Sequence, residues 1–278
     1  VSERFSAAVN VNKSKNTRLP IADEFSNFRF GRDALAHVSR YLWVIDNLIA
    51  LSKEFKRPLK VIDVGCGDCY IPRTFAASYA IKKTDIIEQY VGVDIDDKRI
   101  ERTRATFPQS VPHRIDLGDF TVDALQKYGD KEFDVLVNLE VLEHIQPELV
   151  RPALVQFKRI AHRGWISTPN GTGGTGQIPE DHIKEWDCQE LSNLMKDVGF
   201  WVQRRIGIFS NLMHVRQIAK TEPRIQELLD FLEPRMDKHF LSLTMARLIG
   251  GHAQNIFYIC NFDGAEGRIE GDEVIPTA

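Results

Sequence analysis

"VIDVGCGDCY", residues 61–70, decides how this chain is read. Val61, Ile62 and Val64 form a short apolar run that suits a buried strand. Gly65 and Gly67 follow, where the backbone can turn with positive φ and where no Cβ blocks an approaching ligand. Pro72 then suits the first turn of a helix. A strand, a glycine turn and a helix make the opening unit of an open parallel sheet, and ligands bind at the carboxyl ends of such strands. A dinucleotide site needs a third glycine in G-x-G-x-x-G, and Tyr70 stands there instead. Asp63 and Asp68 also put negative charge where phosphates would sit. The loop is therefore expected to take a positively charged ligand without phosphate.

Outward from this unit, "YVGVDI", "FDVLVNL" and "RGWIST" are further short β-rich runs. Helix-like stretches at 71–80, 97–107, 122–128 and 147–162 separate them. The alternation predicts βαβ units in a mainly parallel sheet covered on both faces. Later, "FWVQRRIGIF" and "QNIFYICNF" read as two strands around a helical insertion, so an antiparallel pair is expected at the sheet edge. The fold class is α/β, Rossmann-like and seven-stranded. Residues 1–57 divide into a polar arm and a long amphipathic helix. Residues 58–262 form the core and 211–249 a helical cap insertion, containing the amphipathic pair "EPRIQELLDFLEPRMDKHFLSLTMARLIG". Residues 263–278 are expected to be a loosely held acidic tail.

Three more signals lie at predicted strand ends. Asp94 closes "YVGVD", where a carboxylate can accept both hydroxyl protons of a ribose. In "LGDF", Asp119 can take an adenine amino group and Phe120 can cover the ring. "NLEVLEH" follows the fourth strand. Together with the glycine turn, these residues resemble the class I S-adenosylmethionine-dependent methyltransferases over roughly residues 58–262. The resemblance implies that Asp63, Gly65 and Gly67 surround the methionine part of the cofactor. It places Asp94 on the ribose, Ile95 along the adenine, Asp119 and Phe120 at the adenine edge and face, and Asn138 and Leu139 near the sulfonium, and it makes the N-terminal helix a lid from which Arg29, Phe30 and Arg32 could touch substrate. Many relatives carry a third glycine where this chain has Cys69. Cys66 and Cys69 spell C-x-x-C, but a zinc site would need a second ligand pair, and Cys188 and Cys260 are isolated.

Candidate chemistry lies in "NLEVLEHIQPE" and "EDHIKEW". On the first turn of a helix, Glu140, Glu143 and His144 would share one face. His182 follows a glycine-rich loop after the fifth strand. Glu140, His144 and His182 are the catalytic candidates, since a hydroxyl acceptor must lose its proton to a base or through a metal. With Glu143, the same groups offer a divalent-metal ligand set, and base and metal both stay open. The pattern resembles small-RNA 2′-O-methyltransferases, which carry E-x-x-E-H and a histidine just before "EW"; those enzymes usually show a second histidine where this chain has Glu180. It also resembles ubiquinone-type small-molecule O-methyltransferases. The expected function is O-methylation of a small molecule or metabolite. RNA 2′-O-methylation and a catalytically silent binding or assembly subunit are the alternatives.

Composition bounds the partners. A net charge of −3 over 278 residues gives no global basic field, so a small-molecule acceptor is favoured and RNA would need a local patch. Four cysteines do not make a disulfide scaffold, no apolar run is long enough for a membrane span, and the polar N-terminus is unlike a secretory signal. A cytoplasmic setting is expected, with the cap insertion a candidate homodimer face.

Overall fold

The computed structural model describes residues 32–78, 85–107, 113–118, 124–171, 173 and 178–264. Seven strands form one sheet: β1 (Leu59–Val64), β2 (Ile87–Asp94), β3 (His113–Leu117), β4 (Phe133–Leu139), β5 (Ala161–Pro169), β6 (Trp201–Phe209) and β7 (Asn255–Asn261). Their order is β3-β2-β1-β4-β5-β7-β6. β1 pairs in parallel with β2 and β4, and β6 pairs antiparallel with β7. This is the sheet expected from the alternation of strands and helices, with the antiparallel pair at the edge. Successive side chains of a strand face opposite sides of its sheet. All of Val61–Val64 are buried, so β1 is covered on both faces, as parallel strands are.

Helices α1 (Arg32–Phe55), α2 (Tyr70–Ser78), α3 (Asp97–Thr106), α4 (Pro147–Ile160), α5 (Cys188–Asp197), α6 (Leu212–Ala219), α7 (Pro223–Leu232) and α8 (Lys238–Ile249) surround the strands. Two compact units divide the chain. One comprises the described residues up to Leu139 together with Arg151–Trp165; the other comprises Glu140–Val150 and the described residues from Ile166 onward.

In the first unit, α1 buries Ala36, Ile45, Leu48 and Ile49 of the stripe read from the sequence, with Val44 and Leu51 added, while Val38 and Leu42 of that stripe are only half-buried. It ends where Lys56 takes positive φ (55°), a left-handed C-terminal turn. Arg57 Nη1 then donates to Asp134 Oδ2 at 2.9 Å, and the Lys60 N–H donates to the same oxygen at 2.8 Å, which ties the starts of β1 and β4. The helix expected over 122–128 is absent from its described part, where residues 124–127 form turns.

In the second unit, Asp187 caps α5 by accepting from Gln189 and Glu190 N–H groups, and Gly199 (φ 81°) follows its end. The cap insertion has three helices, because α6 precedes the expected pair. α8 lies directly on β6: a Cβ on Gly207 would come within 2.0 Å of the Ala246 carbonyl oxygen. Among the described residues no helix is long and apolar enough to cross a membrane.

Candidate active site

The glycine turn has the conformation its composition demands. Gly65 and Gly67 have φ of 79° and 54°, and Cys69 has φ of 52°. Cys69 therefore holds a left-handed position that a glycine would occupy at less cost, which explains why relatives can carry glycine there. The Gly65 and Cys66 N–H groups donate to Val93 O at 2.8 and 3.0 Å, and Cys69 N–H donates to Cys66 O at 2.8 Å. Both cysteines are free and buried. A hydrogen bond with Cys69, together with burial, pushes the Cys66 thiol well up, so it stays protonated at neutral pH. The two sulfurs instead fill space beside β2. A Cβ on Gly92 would meet them at 2.9 and 3.0 Å.

Asp94 fastens this turn. Its Oδ2 accepts from Gly67 N–H at 2.7 Å and its Oδ1 from Asp96 N–H at 2.9 Å. Asp96, in turn, caps α3. Asp94 is 7% exposed. Burial raises its pKa, against the pull of the two backbone donors. Each carboxylate oxygen has lone-pair capacity beyond these single bonds, as a ribose ligand requires.

Asp63 is buried and accepts a hydrogen bond from the Tyr90 hydroxyl. Burial pushes its pKa up to about 7, with the Tyr90 bond opposing and nearby Asp94 adding to the rise. A cationic ligand would favour its ionised form. Asp68 behaves differently from expectation. Arg102 donates to it from Nε at 2.9 Å, so its charge is matched within the fold rather than offered to a ligand. Asn138 is fully buried; its Nδ2 donates to Val64 O at 2.7 Å, and its Oδ1 has no partner. Ile95 and Leu139 are half-buried. Asp119 and Phe120 lie outside the described residues, as do Arg29, Phe30 and the side chain of Arg32. Tyr90 and Arg102 were missed by the sequence reading, and no local signal marks either.

The second unit gathers the other candidates. Glu140, Glu143 and His144 do not ride on the first turn of α4, which begins only at Pro147. Leu142–His144 is a 3-10 turn, and Glu140 before it has φ of 54°. A non-glycine residue in that region is strained by about 1 kcal/mol or more and needs surrounding contacts to hold it. Those contacts are present. Glu140 N–H donates to Ser167 O at 2.9 Å. Its carboxylate accepts from Ser167 Oγ and from Asn255 Nδ2, each at 2.9 Å. Glu143 is 1% exposed and accepts from Thr168 Oγ1 at 3.1 Å.

His182 reaches this cluster because Ile183 and Lys184 N–H groups donate to Glu143 O at 2.7 and 3.1 Å. The His144 and His182 rings stand edge to face with centroids 4.9 Å apart. His144 Nδ1 bonds Asp181 O at 2.7 Å, and His182 Nδ1 bonds Glu185 Oε1 at 3.0 Å. Both contacts require Nδ1–H when the rings are neutral, which leaves Nε2 as the basic nitrogen on each ring. His144 Nε2 is 3.9 Å from Glu143 Oε1. Burial lowers the His144 pKa, despite the Asp181 carbonyl, so the ring is neutral near pH 7. Ligand atoms of Glu143, His144 and His182 all lie within 4.8 Å of one another. Glu140 is outside that group. Thr168, Asn255 and Asn170, which ties Gly251 and Ala253 O to this region, were also missed. Thr168 and Asn170 sit in the run "STPN", residues 167–170, at the end of β5, a strand-end position that could have marked them; nothing in "QNIFYICNF" pointed to Asn255.

Known proteins give this geometry its context. Residues 62–164 match the model of a family described as a methyltransferase domain. A probable S-adenosylmethionine-dependent methyltransferase of Mycolicibacterium smegmatis is 27% identical over 158 residues, covering 54% of each chain. A ubiquinone biosynthesis O-methyltransferase of Bartonella quintana is 28% identical over 169 residues, 55% of this chain and 64% of the relative. The chain thus spans between half and two thirds of the length of these relatives. Its fold is that of a SAM-dependent methyltransferase from Archaeoglobus fulgidus, with a TM-score of 0.53 at 20% identity over 85% of this chain and 96% of the other. The glycine turn, the Asp94 clasp and the sheet order agree with these matches: residues 62–164 match a methyltransferase domain, and the fold is that of S-adenosylmethionine-dependent methyltransferases.

Proposed function

We propose that the protein methylates a hydroxyl oxygen of a small molecule or metabolite. The observation that carries this reading is the neutral His144 beside Glu143 and His182, with Nδ1 engaged and Nε2 basic. S-adenosylmethionine supplies an electrophilic methyl on a sulfonium. Asp94 and the glycine turn would hold this cofactor, and Asp63 would balance its positive charge. His144 Nε2 would accept the proton of an acceptor hydroxyl, and Glu143 would steady the imidazolium that results. The Bartonella relative is a ubiquinone biosynthesis O-methyltransferase, which supports a small hydroxylated acceptor. Radiolabelled methyl transfer from the cofactor into fractionated cell extract tests the reading. Label in a small hydroxylated product supports it, whereas cofactor binding without any labelled product points to a silent binding or assembly subunit.

The closeness of Glu143, His144 and His182 favours a second reading. One carboxylate and two imidazoles within 4.8 Å fit a divalent ion after a small contraction, and such an ion would acidify a bound hydroxyl. This is the arrangement that an RNA 2′-O-methyltransferase would use. Glu140 departs from a four-ligand layout, since Ser167 and Asn255 hold its carboxylate. Methyl transfer that vanishes in chelator and returns with a divalent metal supports this version; full activity in chelator rejects it.

A further inference from the structure

Polar atoms without partners collect where β6 hands over to α6. Among the described residues, Ser210 Oγ, Gln254 Oε1 and His214 Nε2 are buried and have no hydrogen-bond partner. Gln254 N–H donates to Phe209 O at 2.8 Å, which sets Gln254 against the Phe209–Ser210 turn. His214 lies in the first turn of α6, and its ring is 6.5 Å from that of His252, two residues before Gln254. Nearby polar groups do have partners: Asn211 caps α6 through the Met213 N–H. Asn255, the residue after Gln254, donates to Glu140 Oε2.

A folded chain keeps few buried polar groups unpaired, because each costs stability, and three at one turn call for a reason. The three are chemically alike in one respect: each is neutral. They comprise a hydroxyl, an amide carbonyl and an imidazole that burial and His252 keep uncharged. Groups of this kind recognise hydroxyls, whereas a phosphate calls for cations. α6 has eight residues and buries Val215 and Ala219, while α8 is locked on β6 at Gly207.

We propose that the Ser210–His214–Gln254 turn recognises the non-reacting hydroxyls of a neutral, polyhydroxylated acceptor, which reaches it when α6 lifts. This rests on the hydroxyl-methylation reading above. The unpartnered atoms disfavour the closed turn and gain their hydrogen bonds when the acceptor is seated, so the acceptor selects the open form.

Ser210→Ala and Gln254→Leu in the full chain test this by thermal unfolding and by methyl transfer into the low-mass aqueous fraction of a hexane-extracted cell lysate. Removing an unpaired buried polar atom should raise Tm by about 2–4 °C. The same changes should increase the amount of extract needed for half-maximal transfer by about tenfold, with cofactor affinity unchanged. A raised Tm with unchanged dependence on extract overturns the proposal, since the atoms would then be packing defects. A lowered Tm overturns it too, because the atoms would be paired in solution. Acceptor activity found only in the hexane phase excludes a polyhydroxylated acceptor. No transfer by the unaltered chain brings down the hydroxyl-methylation reading, and this inference with it.

Discussion

The two units hold their candidate carboxylates by different means. Asp94 is fixed by backbone: the N–H groups of Gly67 and Asp96 each donate to one of its oxygens. Glu140 is fixed by side chains, Ser167 Oγ and Asn255 Nδ2, the second 115 residues away. Backbone donors come with the fold itself, whereas a side-chain clamp depends on particular residues from distant segments. Changes in the first unit should therefore read out as cofactor affinity, and changes in the second as turnover.

The largest separation is expected from His144→Ala. Removing a positioned base lowers turnover by about 10²–10⁴-fold, and cofactor affinity measured by calorimetry should stay within error. An equal loss of cofactor affinity would erase the distinction between the units. Asp94→Ala should do the reverse. It removes charge-assisted hydrogen bonds to the ribose and frees the Gly67 and Asp96 N–H groups, so cofactor affinity should fall by about 10–10²-fold. Unchanged affinity would remove Asp94 from the cofactor site.

A smaller effect sharpens the electrostatics of the first unit. Asp63 without ligand has its pKa pushed up to about 7, and a cationic cofactor favours its carboxylate. Binding therefore releases a proton below that value. Affinity should rise with pH up to about 7 and level off above it, by at most about tenfold per unit on the acid side. Tyr90→Phe removes the hydrogen bond that opposes the rise, so the levelling point should move to higher pH. A pH-independent affinity in the unaltered chain would contradict the Asp63 role. The smallest change is expected from Gly92→Ala, whose methyl must displace the Cys66 and Cys69 sulfurs. About 1–3 kcal/mol of stability should be lost in denaturant unfolding, and cofactor affinity should weaken only a few-fold. No loss would mean that the sulfurs have room to give.

The same contrast explains what could be read in advance. The glycine turn, the strand ends at Asp94 and Asn138, and the antiparallel edge were legible because each is written in consecutive residues. Cys69 was recognised as standing in a glycine position, and its positive φ shows why that position is special. Tyr90, Arg102 and Asn255 were not legible, because each acts on a residue far away in sequence and carries no motif of its own. The E-x-x-E-H run was read as one helical face, but Glu140 takes a left-handed conformation before a 3-10 turn. Spacing alone cannot reveal that break, since the contacts that hold it come from β5 and β7.

The most direct test of the account is the chemical identity of the transferred methyl. S-adenosylmethionine carrying a carbon-13 methyl, incubated with the intact chain and cell extract, should give a product with the carbon-13 chemical shift of a methoxyl group. That signal should be lost in the His144→Ala variant. A product signal in the N-methyl region, or a methoxyl signal undiminished in that variant, would contradict hydroxyl methylation through His144.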